Sequence, residues 1–385
     1  MLTTLAIENY RSLRDLILPL GRLTLITGAN GSGKSSVYRA LRLLAQVAQG
    51  RVIATLAQEG GFRSTLWAGP ENHSRGMKEG WQPVQGTVRS EPYNLKLGFG
   101  SEQFGYLLRL GLPIPGYGAF GSDPHIKEEV IWAGPWLRRA GTLVERENAL
   151  VRVKDGRGWQ VLAHNLSPFD SMLTELADPA QAPEMFRLRE QVRSWRFYDH
   201  FRTDADAPAR QPQVGTYTPV LADDGRDLAA ALQTIMQIGD ASALAEAVDD
   251  AFPGCTIEID CQGARFEVIM WQPGLLRPLR AAEFSDGTLR YLLWIAALLS
   301  PRPAQLLVLN EPETSLHPDL LPALGRLILQ AAKQAQVIVV SHAGRLINTL
   351  SQQEDVHTWQ LEKELGQTSV QGLADLERPA WHWSS

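Results

Sequence analysis

The chain has 385 residues, a formal net charge of −5 and 44% hydrophobic residues. These values are typical of a globular protein that buries a full core, and the length favours two or three domains. The two cysteines exclude a disulfide framework and a cysteine-rich zinc site. The longest apolar run, residues 291–299, is about half of a membrane span, and no signal peptide is visible. We therefore expect a cytoplasmic protein without a membrane partner.

The predicted elements change in type along the chain. Residues 1–50 are predicted to form two strands and a helix, and residues 51–165 mostly β-structure. Residues 166–250 carry apolar residues at helical spacing. Within them, the polar stretch Thr203–Pro219 contains three prolines, which predicts a surface loop.

The last part of the chain returns to α/β structure. Residues 257–270 are predicted to form a hairpin around Gln262-Gly263, and helices then alternate with strands as far as residue 341, which predicts a parallel sheet. We therefore divide the chain into three predicted domains. They are an N-terminal lobe of residues 1–165, a helical lobe of residues 166–255 and a C-terminal lobe of residues 256–385.

The strongest motif is a P-loop at Gly28–Ser35, where Gly-Ala-Asn-Gly-Ser-Gly-Lys-Ser matches G-x-x-x-x-G-K-[ST] in full. It has an apolar strand before it and a helix after it, so backbone N–H groups and the helix N-terminus can bind a phosphate. Lys34 is expected to reach the β- and γ-phosphates, and the Ser35 hydroxyl to bind Mg²⁺. The residues expected to contact the nucleotide are Asn30, Gly31, Ser32, Gly33, Lys34, Ser35 and Ser36.

A second site is needed to choose among kinases, GTPases and ATPases. The apolar strand Leu306–Leu309 leads into Asn310 and Glu311. A carboxylate at the end of such a strand can polarise a water for attack on a γ-phosphate, so Glu311 is the candidate base. Asn310 stands where most P-loop NTPases have an Asp that holds Mg²⁺. Asn keeps an acceptor oxygen without the charge, so we expect weaker Mg²⁺ binding and slow turnover.

Two further elements carry candidate contacts to the γ-phosphate. Ser285 can cap an apolar helix and Gly287 permits close approach, which gives a second anion-binding helix start. We expect it to close over a nucleotide held by another subunit. His342 follows the apolar strand Val337–Val340, where its ring can hydrogen-bond a γ-phosphate oxygen. Glu311 and His342 are therefore the predicted catalytic residues.

These elements, in this order, resemble the ABC-type ATPases. The P-loop matches Walker A, Leu306–Glu311 matches Walker B, Ser285-Asp286-Gly287 loosely matches the signature motif, and His342 matches the H-loop. The resemblance implies an α/β P-loop NTPase head with a mixed sheet, an antiparallel β subdomain and an inserted helical lobe. It also implies a head-to-tail dimer with two ATP molecules sandwiched between the subunits.

Within these ATPases the chain resembles the RecF, SMC and Rad50 group, because Ile7–Leu13 is similar to the N-terminal strand and turn of those proteins. The resemblance places Arg11 near the nucleotide. The run from Glu311 to Pro318 resembles the small bacterial predicted ATPases called AAA_21, which have suggested links to DNA repair and phage defence. Gln58 and Gln85 stay alternative candidates for the family's Q-loop glutamine.

The leading hypothesis is an ATPase that dimerises on ATP binding and acts as a switch on nucleic acid or a partner protein. A nucleotide-binding module with little hydrolysis, suggested by Asn310, and a transporter ATPase subunit are the alternatives. The spacing of about 250 residues between Lys34 and Ser285 argues against the transporter, because the family resemblance implies closer to 100 there. Any nuclease is expected on a separate chain, because 43 residues follow His342.

Overall fold

The computed structural model describes residues 1–85, 94–114, 116, 118–373 and 378–383. Contacts between residues divide the chain into two compact units. The first unit comprises residues 1–21, 27–195 and 359–385, and the second comprises residues 22–26 and 196–358. These boundaries differ from those of the three domains expected from the sequence, and that division stays a prediction.

The strands of the described residues form three sheets. In chain order they are β1 (Leu2–Tyr10), β2 (Leu13–Pro19), β3 (Leu23–Gly28), β4 (Leu95–Ser101), β5 (Phe104–Gly111), β6 (His125–Ala133), β7 (Thr142–Glu147), β8 (Leu150–Asp155), β9 (Gly158–Ala163), β10 (Arg196–Tyr198), β11 (Gln213–Val214), β12 (Thr256–Gln262), β13 (Arg265–Trp271), β14 (Leu279–Arg280), β15 (Leu306–Asn310), β16 (Gln336–Val340), β17 (Val356–Glu364) and β18 (Gln367–Val370).

The α-helices range from one to four turns. In chain order they are α1 (Lys34–Val47), α2 (Val52–Gln58), α3 (Phe62–Thr65), α4 (Arg75–Lys78), α5 (Met172–Glu175), α6 (Pro183–Arg193), α7 (Leu228–Ile238), α8 (Ala241–Ala251), α9 (Asp286–Leu298), α10 (Leu321–Ala332) and α11 (Gly344–Ser351). No helix in the part of the chain that the structure describes is long and apolar enough to cross a membrane.

The first unit is built on an antiparallel sheet in the order β2-β1-β4-β5-β6-β7-β8-β9. The amphipathic helix α1 buries Val37, Leu41 and Leu44, the positions that recur at helical spacing. A buried ion pair links β6 to β7, where Arg146 Nη1 lies 2.8 Å from Glu129 Oε2 and both side chains are fully enclosed. This unit contains the antiparallel β subdomain that the sequence predicted.

The second unit contains four parallel strands in the order β10-β15-β16-β3, with β3 contributing Leu23–Ile26. β15 and β16 are buried along their whole length, as expected for apolar strands of a parallel sheet that is covered on both faces. Helix α9 is buried from Leu289 to Leu298 and belongs to one core with α7, α8 and α10. The strands run in parallel, so the residues that follow β10, β15 and β16 lie at the same edge of this sheet.

Two expectations from the sequence are wrong in detail. Residues 51–165 were expected to be mostly strands, but α2, α3 and α4 lie between residues 52 and 78. Helices of four to seven residues span one or two turns, which is too short to produce a recognisable helical period. The stretch Thr203–Pro219 is not simply a surface loop, because it contains β11 and the buried Arg210.

Candidate functional site

The P-loop, Gly28–Ser35, lies in the first unit and has the conformation that its glycines predict. Gly33 has φ +106° and immediately precedes α1, and a Cβ there would lie 2.3 Å from Thr368 Oγ1. The N-terminus of α1 receives no side-chain cap. No side chain therefore competes with an anion for the N–H groups at the start of this fourteen-residue helix, and the Ser36 and Val37 N–H groups donate to the Gly33 carbonyl oxygen.

Lys34 is held by its own loop. Its ammonium group donates to the carbonyl oxygens of Gly28 at 2.7 Å and Ala29 at 2.9 Å, and the residue is only 4% exposed. The buried Ser32 hydroxyl has no hydrogen-bond partner among the described residues. A buried cation without a carboxylate and an unpartnered hydroxyl are what a phosphate group would satisfy, so the loop fits a nucleotide triphosphate. Asn30, Gly31 and Ser35 are exposed.

A residue that the sequence did not indicate braces this loop. The hydroxyl of Thr368, in β18, donates to the Ser32 carbonyl oxygen at 2.8 Å and lies 2.8 Å from Ser12 Oγ. The Thr368 N–H donates to the Ser12 carbonyl oxygen, also at 2.8 Å. Thr368 is 1% exposed. The hairpin of β17 and β18 therefore fixes the backbone of the P-loop to the turn after β1.

Arg11 lies in that turn, in the left-handed backbone region with φ 51°. Its guanidinium forms an ion pair with Glu59 at 2.8 Å, and the Tyr10 hydroxyl donates to the same carboxylate at 2.6 Å. Burial, reinforced by Glu59, raises the pKa of Tyr10 well above its usual value, so the phenol stays protonated. Arg11 is thus engaged by Glu59, and its predicted contact with the nucleotide stays a prediction.

The Walker B strand and the H-loop lie in the second unit. β15 and β16 pair in parallel with Asn310 opposite Val340, which brings Glu311 and His342 to the same sheet edge. Glu311 has φ 47°, a region that non-glycine residues rarely adopt, and its N–H donates to the Val340 carbonyl oxygen at 2.8 Å. Its side chain is 37% exposed, and Oε1 lies 3.8 Å from His342 Nδ1. The two predicted catalytic residues are therefore neighbours.

Glu313 holds the H-loop in place. Its Oε1 accepts hydrogen bonds from Ser341 Oγ at 2.8 Å, from the His342 N–H at 2.9 Å and from the Ala343 N–H at 3.2 Å. His342 Nδ1 lies 3.3 Å from the same oxygen, and the Glu313 side chain is 7% exposed. With Nδ1 on this side, the other ring nitrogen of His342 is left to face a ligand.

Asn310 is buried, and its amide nitrogen donates to Asp199 Oδ1 at 3.0 Å. Its own Oδ1 is buried and has no hydrogen-bond partner in the described part of the chain. This unpartnered oxygen is the kind of hard ligand that Mg²⁺ accepts, so the residues present fit the metal that accompanies a nucleotide triphosphate. No cluster of three or more His, Cys, Asp and Glu residues among those described forms a separate metal site.

The signature-like turn has a defined structure in the second unit. The Ser285 hydroxyl accepts from the Thr288 N–H at 3.0 Å and so caps α9, while Ser285 itself is exposed. The buried Arg210 donates to the Phe284 carbonyl oxygen at 2.7 Å and pairs with Asp286 at 2.7 Å. Gly287 has an ordinary φ, and a Cβ there would lie 3.6 Å from the Ser315 carbonyl oxygen. Its predicted close approach to a ligand stays a prediction.

A second buried cation lies in the first turns of α9. Arg290 is 4% exposed, its Nη2 donates to Thr203 Oγ1 at 3.2 Å, and its Nε has no partner within the described ranges. Burial lowers the pKa of Arg290 from its ordinary value. Arg290 therefore adds positive charge near the N-terminus of the helix that Ser285 caps.

Comparison with known proteins identifies a family for this chain. The family model AAA_21, described as "AAA domain, putative AbiEii toxin, Type IV TA system", matches residues 23–347. The OLD nuclease of Thermus scotoductus (strain ATCC 700910 / SA-01) is 50% identical over 44 residues, which are 11% of this chain and 8% of that protein. The chain thus matches only a small part of the length of this relative.

Two solved structures share the fold over nearly the whole chain. An SMC head bound to the C-winged helix domain of ScpA has a TM-score of 0.51 and 13% identity, covering 96% of this chain and 97% of that one. An Smc head domain with an extended coiled coil, bound to the C-terminal domain of ScpA derived from Pyrococcus furiosus, has a TM-score of 0.50 and 12% identity, covering 96% and 95%. The predicted head fold is confirmed by these structures, and the chain belongs to the AAA_21 family.

Proposed function

We propose that the chain binds ATP with Mg²⁺ and hydrolyses the γ-phosphate, with Glu311 as general base and His342 as a contact to the γ-phosphate. The arrangement of Glu311 carries this proposal. Its backbone is locked by the bond to Val340, yet its carboxylate is partly exposed and accepts no hydrogen bond from an N–H of the described chain. A base needs a free lone pair at a fixed position, and Glu311 has both.

We further propose that ATP binding joins two copies head to tail, with Ser285 and Gly287 of one copy contacting the nucleotide of the other. Ser285 supports this because it is exposed at the start of α9, with Arg210 and Arg290 buried behind it. Asp286 balances the charge of Arg210, so the helix N-terminus and the buried Arg290 guanidinium are what would attract an anion. ATP would then hold the dimer together, and hydrolysis would release it.

As its biological role we propose a switch in DNA repair or phage defence, acting on nucleic acid or on a separate effector or nuclease chain. The family description and the short match to an OLD nuclease support a defence role. A salt titration of DNA binding by the ATP-bound dimer tests the nucleic-acid part. Affinity should fall steeply with salt if a basic groove binds phosphates, and a flat response would contradict DNA binding.

The Glu311→Gln variant tests the hydrolysis and the dimer together. Loss of the base should abolish phosphate release but leave ATP binding intact, so the variant should accumulate as an ATP-bound dimer in light scattering. Glu354→Gln, the same substitution at an exposed position, is the matched control and should behave as wild type. A Glu311→Gln protein that stays monomeric in saturating ATP and Mg²⁺ would contradict the sandwich.

A second candidate is a nucleotide-binding module without useful hydrolysis, which Asn310 favours. Its amide is turned toward Asp199, so this position offers the metal no charge. Phosphate release decides between the two, because the module predicts equal background rates for wild type and Glu311→Gln. The ATPase predicts a measurable rate that the variant loses.

A further inference from the structure

The contact between Asp199 and Asn310 suggests a role for a residue outside every motif described above. Asp199 follows β10, and β10 pairs in parallel with β15, with Tyr198 opposite Leu309. One position further along both strands, Asp199 and Asn310 come together, with Oδ1 of one 3.0 Å from Nδ2 of the other. A carboxylate therefore stands beside the Walker B strand at the sheet edge where ligands bind in α/β folds.

The chemistry of this pair fixes its orientation. A carboxylate only accepts hydrogen bonds, so the Asn310 amide must present its nitrogen to Asp199 and turn its oxygen away. That oxygen is buried and unpartnered in the described structure, and Asn310 is 9% exposed. A buried acceptor without a donor is unfavourable, and a bound cation or its water shell would satisfy it.

Asp199 also keeps its charge available. It is exposed, and no Lys, Arg or His within the described ranges forms an ion pair with it. Carboxylate and amide oxygens are the ligands that Mg²⁺ takes from proteins, directly or through its waters. The pair thus offers the oxygen and the negative charge that one Asp at position 310 would offer alone.

We propose that Asp199 supplies the negative charge of the Mg²⁺ site in place of the missing Walker B aspartate, with Asn310 contributing its amide oxygen. In this arrangement the negative charge comes from the residue that follows β10, at the level of Asn310 in the neighbouring strand β15. This inference rests on the proposed function, because the metal accompanies the nucleotide.

The test measures binding of a fluorescent ATP analogue to the full-length chain in excess Mg²⁺ and in EDTA. The affinity in Mg²⁺ divided by the affinity in EDTA is the gain, that is, the factor by which the metal strengthens nucleotide binding. Asp199→Asn should reduce this gain about tenfold, the size expected when a group that supports a metal is removed. Affinity in EDTA should not weaken, because the substitution removes a negative charge and leaves the P-loop unchanged.

The exchange variant Asp199→Asn with Asn310→Asp makes the experiment specific. It keeps one carboxylate and one amide in contact and returns the charge to β15, so it should recover the gain. Asp206→Asn, an exposed aspartate on the following loop, is the matched control and should leave the gain unchanged. Thermal melting without nucleotide confirms that each variant is folded.

The outcomes distinguish a failure of the Asp199 inference from a failure of the proposed function. A full metal-dependent gain in Asp199→Asn would overturn the inference and leave the proposed function standing. A gain that is lost in Asp199→Asn and not recovered in the folded exchange variant would mean that Asp199 only orients Asn310, and would also overturn it. A wild-type chain that binds no nucleotide in either buffer would refute the proposed function itself.

Discussion

Replacing Glu313 tests whether its carboxylate holds the H-loop. The Glu313→Ala change removes the acceptor for Ser341 Oγ, the His342 N–H and the Ala343 N–H. A hydrogen bond to a charged group contributes about 1.5–3 kcal/mol to stability. Three such bonds do not add, since His342 is half exposed and water can replace part of the loss. We therefore expect the free energy of unfolding to fall by about 3 kcal/mol.

Urea unfolding of the nucleotide-free chain, followed by tryptophan fluorescence, measures this change. Trp294 lies in the core of the second unit, so its fluorescence changes when that core unfolds. Glu313→Gln is the informative partner variant, because an amide oxygen still accepts these hydrogen bonds and only the charge is lost. We expect Glu313→Gln to cost about 1 kcal/mol, the difference between charged and neutral acceptors.

Glu354→Ala is the control, since Glu354 is exposed and a surface substitution changes stability by less than about 0.5 kcal/mol. If Glu313→Ala were as stable as this control, the three hydrogen bonds would not hold the loop. The second readout is phosphate release, which should fall in Glu313→Ala because His342 loses its support. Unchanged turnover with reduced stability would limit Glu313 to a structural role.

Two further predictions concern charges away from the nucleotide. Glu129→Gln should lower the free energy of unfolding by about 3 kcal/mol, because it leaves the fully buried Arg146 without its counter-charge. Thermal melting measures this change, and a decrease below about 1 kcal/mol would contradict the prediction. The Arg277 guanidinium, and then the Arg280 N–H, lower the pKa of Glu283 to about 2 from 4.5. The stabilisation from this carboxylate is present above pH 4.5 and is lost as the pH falls toward 2. NMR titration should show the pKa rising in Arg277→Ala, and no change would exclude that ion pair in solution.

The sequence was sufficient for the parts of the site that depend on local backbone chemistry. The P-loop could be predicted because glycines, a lysine and a helix start are contiguous in the chain. The strands before Glu311 and His342 could be predicted because parallel strands buried on both faces are continuous apolar runs. Pairing of those strands then brings the two residues together without further information.

The other residues of the site could not be predicted, because their contacts are with residues far away in the chain and no local sequence pattern indicates them. Thr368 braces the P-loop from more than 300 residues away in the chain, and one threonine in a short hairpin gives no signal. Arg210 lies in a polar stretch with prolines, which predicted a solvated loop, yet it binds the turn before α9. Asp199 follows an aromatic strand, and its position beside Asn310 required the register of β10 against β15.

Glu311 and Glu313 show most clearly why composition alone does not assign roles. The two carboxylates are separated by one proline, and only Glu311 was predicted from the sequence to be the base. Glu313 is buried and occupied by three donors, so one of its oxygens is committed to holding Ser341 and the H-loop. Glu311 has a fixed backbone and a partly exposed carboxylate that accepts no such bonds from the residues that the structure describes. These environments fit the proposed roles, with Glu313 as a support for the H-loop and Glu311 as the proposed base that takes a proton from water.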